Sequence, residues 1–273
     1  MCPNCRAFIT TNDKICPYCD APVGARAVDR RSPADLLGGL IPHARFVTVL
    51  ILLINTGLFL AMIVFSSRMG WGAGMDFDGR VLYAFGAKYR EAILEGQWWR
   101  LITAGFLHGG MWHILMNSYG LFIIGSQVEQ EFGTDRYLVI YIVSTITGFL
   151  ASFYWTAAIS VGASAGIFGL IGAMIAFGIH EKSPYGSAMQ RQYLFWAGIN
   201  LAIGAFGGLA IDNAAHLGGM AGGFLVAYAA GTPRQSGPQE TVWKMAMYAA
   251  VGLTVFAFVK WFLWLIANLS AIQ

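Results

Sequence analysis

Long apolar runs separated by short polar segments dominate the chain from about residue 44 to its end. Seven of these runs reach or approach the roughly 20 residues that a transmembrane helix needs. They cover residues 47–65, 112–130, 137–156, 164–179, 193–209, 214–230 and 242–269. The first run is too long for the apolar core of a signal peptide and no small-residue cleavage site follows it. The pattern therefore predicts an all-α polytopic membrane protein with seven spans, the first of them retained.

The composition supports a chain that is dissolved mostly in lipid. It is 57% hydrophobic and 11% charged, whereas soluble domains average roughly 25% charged residues. A net charge of +3 is too small to indicate binding to nucleic acid. Lysine and arginine concentrate before the first run, between the fourth and fifth, and between the sixth and seventh, which predicts a cytoplasmic amino terminus. The connection after the first run, residues 66–105, carries charges of both signs and is too long for a turn, so we expect a folded loop lying partly in the membrane.

All four cysteines lie near the amino terminus, as two Cys-x-x-Cys pairs formed by Cys2, Cys5, Cys16 and Cys19. Two such pairs a short loop apart can supply the tetrahedral thiolate set of a structural Zn²⁺, as in a zinc-ribbon-like module. A disulfide pair and an iron site are alternatives, the first disfavoured on the cytoplasmic side. We expect the module at residues 1–21, a basic juxtamembrane linker at 22–43 and the membrane domain at 44–273. The metal would supply most of the stability of the module, whose binding partner the sequence does not identify.

Ser164 lies among glycines at the start of the fourth run, and His216 lies among glycines in the sixth. Polar groups at membrane depth are costly unless they face a protein interior or a wet cavity. Small residues recur at helical spacing from Ala165 onwards in the fourth run, and others share a helix face with His216 in the sixth. Such stripes allow two helices to approach closely. The two side chains could then meet as a nucleophile and its base. Alternatively, both stripes serve packing alone and the Ser164 hydroxyl bonds to its own backbone.

Three further polar residues, His108, His113 and Asn117, form a His-x4-His-x3-Asn pattern where the second run begins. One helical turn separates His113 from Asn117, so both project from the same face. Both side chains can donate hydrogen bonds and, together with the Ser164 backbone N–H, could stabilise an oxyanion. Other readings are that His113 caps a loop while Asn117 bonds to a neighbouring helix, or that the histidines bind a metal. The five histidines of the chain have no inward pair of carboxylates beside them, which disfavours a metal.

Four motifs in order make the chain resemble a rhomboid intramembrane serine protease from the first run to its end. They are Trp99-Arg100, the His108/His113/Asn117 pattern, Gly162-Ala163-Ser164, and Ala215-His216-x2-Gly219-x3-Gly223. The resemblance implies a rhomboid-like six-helix bundle plus one additional C-terminal transmembrane helix. It implies further that Ser164 is the nucleophile and His216 the base of a two-residue dyad, and that no cofactor is needed for catalysis. His113 and Asn117 would complete the oxyanion hole.

The resemblance also assigns expected roles around the dyad. It implies that Glu129 makes structural hydrogen bonds, that Trp99-Arg100 shapes the first loop, and that the Phe168 ring packs against the catalytic imidazole. The sequence departs from the family pattern at Ala165-Gly166, where the glycine that usually follows the serine arrives one position late. Asp212 lies four residues before His216, just before the start of the sixth run. A carboxylate is stabilising at a helix N-terminus, so we expect this role for Asp212 rather than that of a third catalytic residue.

The function we expect from these features is an intramembrane serine endopeptidase that cleaves transmembrane segments of membrane proteins. The resemblance places it in the bacterial inner membrane with its active-site cavity open to the outer side, and its partners are membrane-protein substrates and the lipid bilayer. One alternative is a catalytically inactive rhomboid-like protein that binds and escorts membrane clients. Another is a transporter that uses His113 and His216 as a proton relay, which would be expected to show internal repeats.

Overall fold

The computed structural model describes residues 15–20, 45–71, 76–207, 211–231 and 238–272. The chain divides into two structural units, Met1–Phe46 and Val47–Gln273. In the first unit, a tight turn runs from Cys16 to Asp20 and is closed by a 2.9 Å hydrogen bond from the Asp20 N–H to the Cys16 carbonyl. Cys2, Cys5 and the predicted linker at 22–43 lie outside the described residues, so two of the four expected metal ligands are described.

Each apolar run predicted from the sequence overlaps a helix of the second unit. In chain order the helices are α1 (Phe46–Arg68), α2 (Gly79–Ala84), α3 (Arg90–Leu94), α4 (Arg100–Thr103), α5 (Met111–Gly120), α6 (Ser126–Trp155), α7 (Ser164–His180), α8 (Pro184–Phe206), α9 (Asn213–Ala230) and α10 (Pro238–Ile272). A π-helical segment, Leu121–Gly125, joins α5 to α6. The described part of the chain contains isolated β-bridges but no strand. The predicted all-α class is confirmed.

Among the described residues, three helical stretches are both long and apolar enough to cross a membrane by themselves: Phe46–Arg68, Met111–Trp155 and Gln239–Ser270. The second of these has 45 residues, which at 1.5 Å per residue would be about 68 Å long, twice the bilayer core. Gly133 breaks it, with φ 73° and ψ 165°. The predicted break between the second and third runs therefore exists. The helices α7 and α9 are short and rich in glycine, as expected for spans inside a bundle.

The first helix is held at its N-terminus by Glu129. The carboxylate accepts hydrogen bonds from the backbone N–H groups of Val47 (2.9 Å) and Thr48 (3.0 Å) and from the Thr48 hydroxyl (2.8 Å). These N–H groups belong to the helix end that has no intrahelical acceptor, and a negative charge is favourable there. The expected structural role of Glu129 is confirmed.

Glycines on α7 and α9 bring the two backbones into direct contact. A Cβ added to Gly219 would overlap the carbonyl oxygen of Ala165, and one added to Gly223 would overlap that of Gly169. On its other side α7 meets α6, where a Cβ at Gly148 would lie 2.7 Å from the Ala165 methyl. The predicted close packing of the two glycine stripes is confirmed, with α6, α7 and α9 at its centre.

The first loop is folded around a buried arginine. Arg100 is fully buried and donates hydrogen bonds to the carbonyls of Tyr83 (2.8 Å) and Ala87 (2.9 Å) and to the Gln97 side chain (2.9 Å). Two short helices of this loop, α2 and α3, are separated at Gly86, which adopts φ +94°. The structural role expected for this arginine is confirmed.

The last helix, α10, packs on both α6 and the first loop. At one end the Arg136 guanidinium forms an ion pair with Glu240, with N–O distances of 2.7 and 2.8 Å. Towards the other end the Trp261 indole N–H donates to the Ala84 carbonyl at 2.8 Å, and Phe256 stacks on Trp98. Contacts at both ends therefore fix α10 along the loop that borders the candidate site.

Candidate active site

Ser164 is the first residue of α7 and lies two residues after a glycine with positive φ. Gly162 has φ +133°, a region that favours glycine, and its N–H donates to the Ala104 carbonyl at 3.0 Å. Ser164 itself is half-buried. The first turn of a helix leaves backbone N–H groups without intrahelical acceptors, and the helix dipole makes this end positive. The fold thus presents the Ser164 hydroxyl where developing negative charge is stabilised.

His216 reaches Ser164 from the N-terminal part of α9. Asp212 caps this helix, since its Oδ1 accepts the Ala215 N–H at 3.0 Å. One turn later, His216 Nε2 lies 3.0 Å from Ser164 Oγ. The predicted proximity of the serine and histidine is confirmed, and their catalytic role stays a prediction.

The His216 imidazole is oriented by stacking rather than by an acid. Phe168 lies parallel to it, with ring centroids 4.1 Å apart and an angle of 9° between the planes. Within the described residues, no group hydrogen-bonds to His216 Nδ1. The Asp212 carboxylate instead accepts hydrogen bonds from Ala215 N–H and from the Ser152 hydroxyl. The expected packing of Phe168 is confirmed, and the geometry is that of a pair without a third member.

His113 faces the same pocket from the start of α5. Its Nδ1 accepts the Gly109 backbone N–H at 3.2 Å. A neutral imidazole with an accepting Nδ1 carries its proton on Nε2. That nitrogen points at Gly162, where an added Cβ would lie 2.7 Å from Nε2 and 3.5 Å from Ser164 Oγ. The arrangement makes His113 a hydrogen-bond donor beside the candidate nucleophile.

Asn117 and His108, which follow and precede His113 in the chain, both contact it. The buried Asn117 amide donates one hydrogen bond to the His113 carbonyl at 2.9 Å, and an amide has a second N–H to offer. His108, in the turn before α5, is 1% exposed, and its ring centroid lies 5.2 Å from that of His113. Burial, with a smaller effect of His113, lowers the pKa of His108 to about 3. His108 is therefore neutral and adds no positive charge beside the donor.

The displaced glycine after Ser164 serves packing. The Ala165 methyl lies in a buried cluster with Ala104, Phe149 and Ala215. A Cβ at Gly166 would be 2.5 Å from the Tyr141 ring. Position 165 therefore tolerates a methyl group because Gly148 and Gly219 leave room for it, whereas position 166 requires glycine.

A model of the Rhomboid domain matches residues 95–233 of the chain, about half of its length. The chain belongs to the rhomboid family. The matched range contains Ser164, His216, His113 and Asn117, together with the glycines of α7 and α9. The family and the apolar helices indicate a multi-pass membrane protein.

Rhomboid proteins from bacteria and plants are among the relatives. The chain is 36% identical to "Rhomboid protease GluP" of Bacillus subtilis (strain 168) over 179 residues, which are 66% of this chain and 35% of that protein. It is 37% identical to the mitochondrial RHOMBOID-like protein 6 of Arabidopsis thaliana over 155 residues, 56% of this chain and 50% of that protein. RHOMBOID-like protein 1 of the same plant is 41% identical over 133 residues, 48% of this chain and 34% of that protein. The chain thus spans half or less of the length of these rhomboid relatives.

Two contributors to the rhomboid site were not identified from the sequence. The Gly109 N–H sets the tautomer of His113, and a Gly-Gly pair between His108 and a helix start is the signal that could have indicated it. Lys88, in the first loop, bonds to the segment that leads into Ser164, and no sequence pattern indicates this contact. No cluster of three or more metal-ligating side chains occurs in the part of the chain that the structure describes.

Proposed function

We propose that this rhomboid protein is an intramembrane serine endopeptidase that cleaves transmembrane segments of membrane proteins. The observation that carries the proposal is the 3.0 Å separation of Ser164 Oγ and His216 Nε2, with the Nε2–H donor of His113 on the facing side of Gly162. A relative that is 36% identical is named a rhomboid protease. A nucleophile, a base within hydrogen-bond reach and a donor for the oxyanion are the minimum set for acyl transfer.

In the proposed reaction, His216 Nε2 takes the proton of Ser164 Oγ as this oxygen attacks the substrate carbonyl carbon. Negative charge moves to the carbonyl oxygen, where the His113 Nε2–H, the Ser164 backbone N–H and an Asn117 amide N–H donate to it. The C–N bond then breaks, and the imidazolium gives its proton to the leaving amine. Water, deprotonated by the same imidazole, hydrolyses the acyl-enzyme and restores Ser164.

Substrates would be transmembrane segments that unwind locally. A regular helix keeps its carbonyls in internal hydrogen bonds, so the scissile bond must leave the helix before Ser164 can reach it. Glycine and other small residues in the substrate would help, because they favour non-helical backbone. We propose that access runs between α5 and α8, which expose large apolar side chains such as Trp112 and Phe195 to their surroundings.

We propose the bacterial inner membrane as the location, with the amino terminus in the cytoplasm and the active-site cavity open to the outer side. The support is the basic residues before α1, between α7 and α8, and around the start of α10. Cysteines introduced singly at Lys182 and at Asp78 in a cysteine-free background would be tested with a membrane-impermeant maleimide in intact cells. Labelling at position 78 and not at 182 is expected, and the reverse pattern would overturn the orientation.

We also propose a structural Zn²⁺ held by Cys2, Cys5, Cys16 and Cys19. The Asp20 N–H donates to the Cys16 carbonyl, and Asp20 adopts φ 55°. The chain therefore turns back on itself between Cys16 and Cys19, as it must if both thiolates are to bind one metal ion. When bound, the metal supplies folding stability rather than catalysis. Elemental analysis is expected to find about one zinc per chain, lost in Cys16→Ser. Iron in its place, or retention of zinc in the variant, would contradict the assignment.

The alternative is an inactive rhomboid-like protein that binds membrane clients, and covalent labelling separates the two functions. A fluorophosphonate probe should label the purified protein at Ser164, located by peptide mass spectrometry. Ser164→Ala and His216→Ala should abolish labelling, while Ser160→Ala, which removes a hydroxyl four residues earlier, should retain it. Absence of labelling in folded wild-type protein would favour the binding function.

A further inference from the structure

Lys88 is a fully buried lysine in the first loop, between α2 and α3. Its Nζ donates hydrogen bonds to the carbonyl oxygens of Thr156 at 2.6 Å and of Ala158 at 3.0 Å. Both carbonyls belong to the segment 156–163, which follows α6 and leads directly into Ser164. The side chain thus bonds to backbone just upstream of the candidate nucleophile.

The backbone of Lys88 binds the same segment. Its N–H donates to the Ser160 carbonyl at 3.0 Å, and the Ser160 N–H donates back to the Lys88 carbonyl at 3.1 Å. A fifth bond, from Gly162 N–H to the Ala104 carbonyl, ties the far end of the segment to the first loop. Four of these five bonds come from one residue, so the path from α6 to Ser164 is set largely by Lys88.

Burying the Lys88 ammonium group costs free energy, and part of this cost is offset by its surroundings. Burial lowers the pKa of Lys88, and the negative charge of Asp212 acts against this shift. Asp212 accepts a hydrogen bond from Ser152 near the end of α6 and caps the helix that carries His216. Without the Lys88 side chain, the carbonyls of Thr156 and Ala158 would lose their hydrogen-bond donor. This loss costs free energy wherever water cannot replace the donor.

Arg90 provides a natural comparison in the same loop. Its guanidinium also donates to two backbone carbonyls, those of Phe153 and Tyr154, each at 2.7 Å. These carbonyls belong to the last turn of α6, before the segment 156–163 begins. Arg90 therefore holds the end of the helix but does not bond to the segment that leads into Ser164.

We infer that Lys88 is a positioning residue for Ser164, holding segment 156–163 so that Gly162 and Ser164 stay in register with His113 and His216. The inference rests on the proposed protease function. A displacement of about 1 Å in a reacting group can lower the rate about 100-fold. Loss of the Nζ contacts should therefore act on the chemical step, while substrate binding along α5 and α8 is unaffected.

The test compares Lys88→Met, Lys88→Arg and Arg90→Met with the wild type in proteoliposomes, using a designed transmembrane substrate. Lys88→Met is expected to lower kcat by about 10- to 100-fold with KM changed less than about threefold. The rate of fluorophosphonate labelling should fall by a similar factor. Lys88→Arg should recover part of the loss because it keeps a buried donor, and Arg90→Met should stay within about twofold of the wild type.

Hydrogen exchange supplies a readout that does not depend on activity. Lys88→Met should speed amide exchange in peptides covering 156–163, and Arg90→Met should not. An unchanged kcat in Lys88→Met, equal losses in both methionine variants, or unchanged exchange in the segment would each overturn the inference. A wild-type protein that neither cleaves nor labels would reject the protease function instead, and the exchange comparison would still decide whether Lys88 holds the segment.

Discussion

Gly109 donates its backbone N–H to Nδ1 of His113 across 3.2 Å. An accepting Nδ1 leaves the proton of the neutral ring on Nε2, the nitrogen that faces Gly162. A backbone group in the turn before α5 thus decides which edge of the imidazole donates. This tautomer is the one that an oxyanion donor requires.

Replacing His113 by alanine should therefore remove a donor that acts in the transition state. We expect kcat to fall about 100- to 1000-fold while KM changes little, the effect typical of losing one oxyanion-hole donor. The measurement is steady-state cleavage of a designed transmembrane substrate. A raised KM with an unchanged kcat would mean that His113 binds the substrate ground state instead.

Gly162→Ala should abolish activity without unfolding the protein. The added Cβ would lie 2.7 Å from His113 Nε2, and the position has φ +133°, so the methyl group would occupy the space of the oxyanion and strain the backbone. Gly109→Ala is the matched control, because its Cβ would meet His113 Nδ1 at an ordinary 3.7 Å. Labelling by a fluorophosphonate should be lost in the first variant and kept in the second. Full labelling of Gly162→Ala would place the oxyanion elsewhere.

Asp212→Asn should leave catalysis nearly intact. An asparagine can still accept the Ala215 N–H as a helix cap and can donate to the Ser152 hydroxyl. Asp212→Ala loses the cap and should lower stability by about 0.5–2 kcal/mol. Thermal unfolding and kcat, measured on both variants, separate the two effects. A fall in kcat of about 1000-fold or more in a stable Asp212→Asn variant would instead indicate a catalytic triad.

Glu240→Gln should destabilise the membrane domain. Its partner Arg136 is only 2% exposed, so the substitution leaves a buried guanidinium without its carboxylate. We expect a loss of up to about 3 kcal/mol, below the range for fully buried pairs because the Glu240 side chain is 27% exposed. Asp78→Asn, which breaks the exposed pair with Arg80, is the control and should cause no measurable loss. Equal unfolding temperatures for Glu240→Gln and the wild type would show that the ion pair does not hold α10.

Much of the helical core could be predicted because its signals are local. Apolar runs of membrane length mark the helices, and Gly133 breaks a stretch too long for one span. Glycines repeated at helical spacing on α7 and α9 indicate backbone contact, because small residues in membrane helices let two backbones approach closely. These stripes allowed Ser164 and His216 to meet but left packing alone as an alternative, and the resemblance to rhomboid proteases predicted the pairing.

The remaining contacts join distant residues through irregular backbone. Lys88 bonds to carbonyls 68 and 70 positions away, and every residue type offers the same carbonyl, so no pattern of side chains marks the acceptors. The Asp212–Ser152 hydrogen bond spans 60 positions and depends on where α6 ends. The interruption at Gly86, where a Cβ would lie 2.7 Å from the Thr103 hydroxyl, likewise arises from tertiary contact within the loop.

The proposed dyad is tested most directly by cleavage of a designed transmembrane substrate in liposomes by the wild type, Ser164→Ala and His216→Ala. The wild type is expected to cleave the substrate within its membrane segment. Each variant should lose activity by about 1000-fold or more, as when a nucleophile or its base is removed. Persistent cleavage by Ser164→Ala would contradict the assignment of Ser164 and His216 as the catalytic dyad.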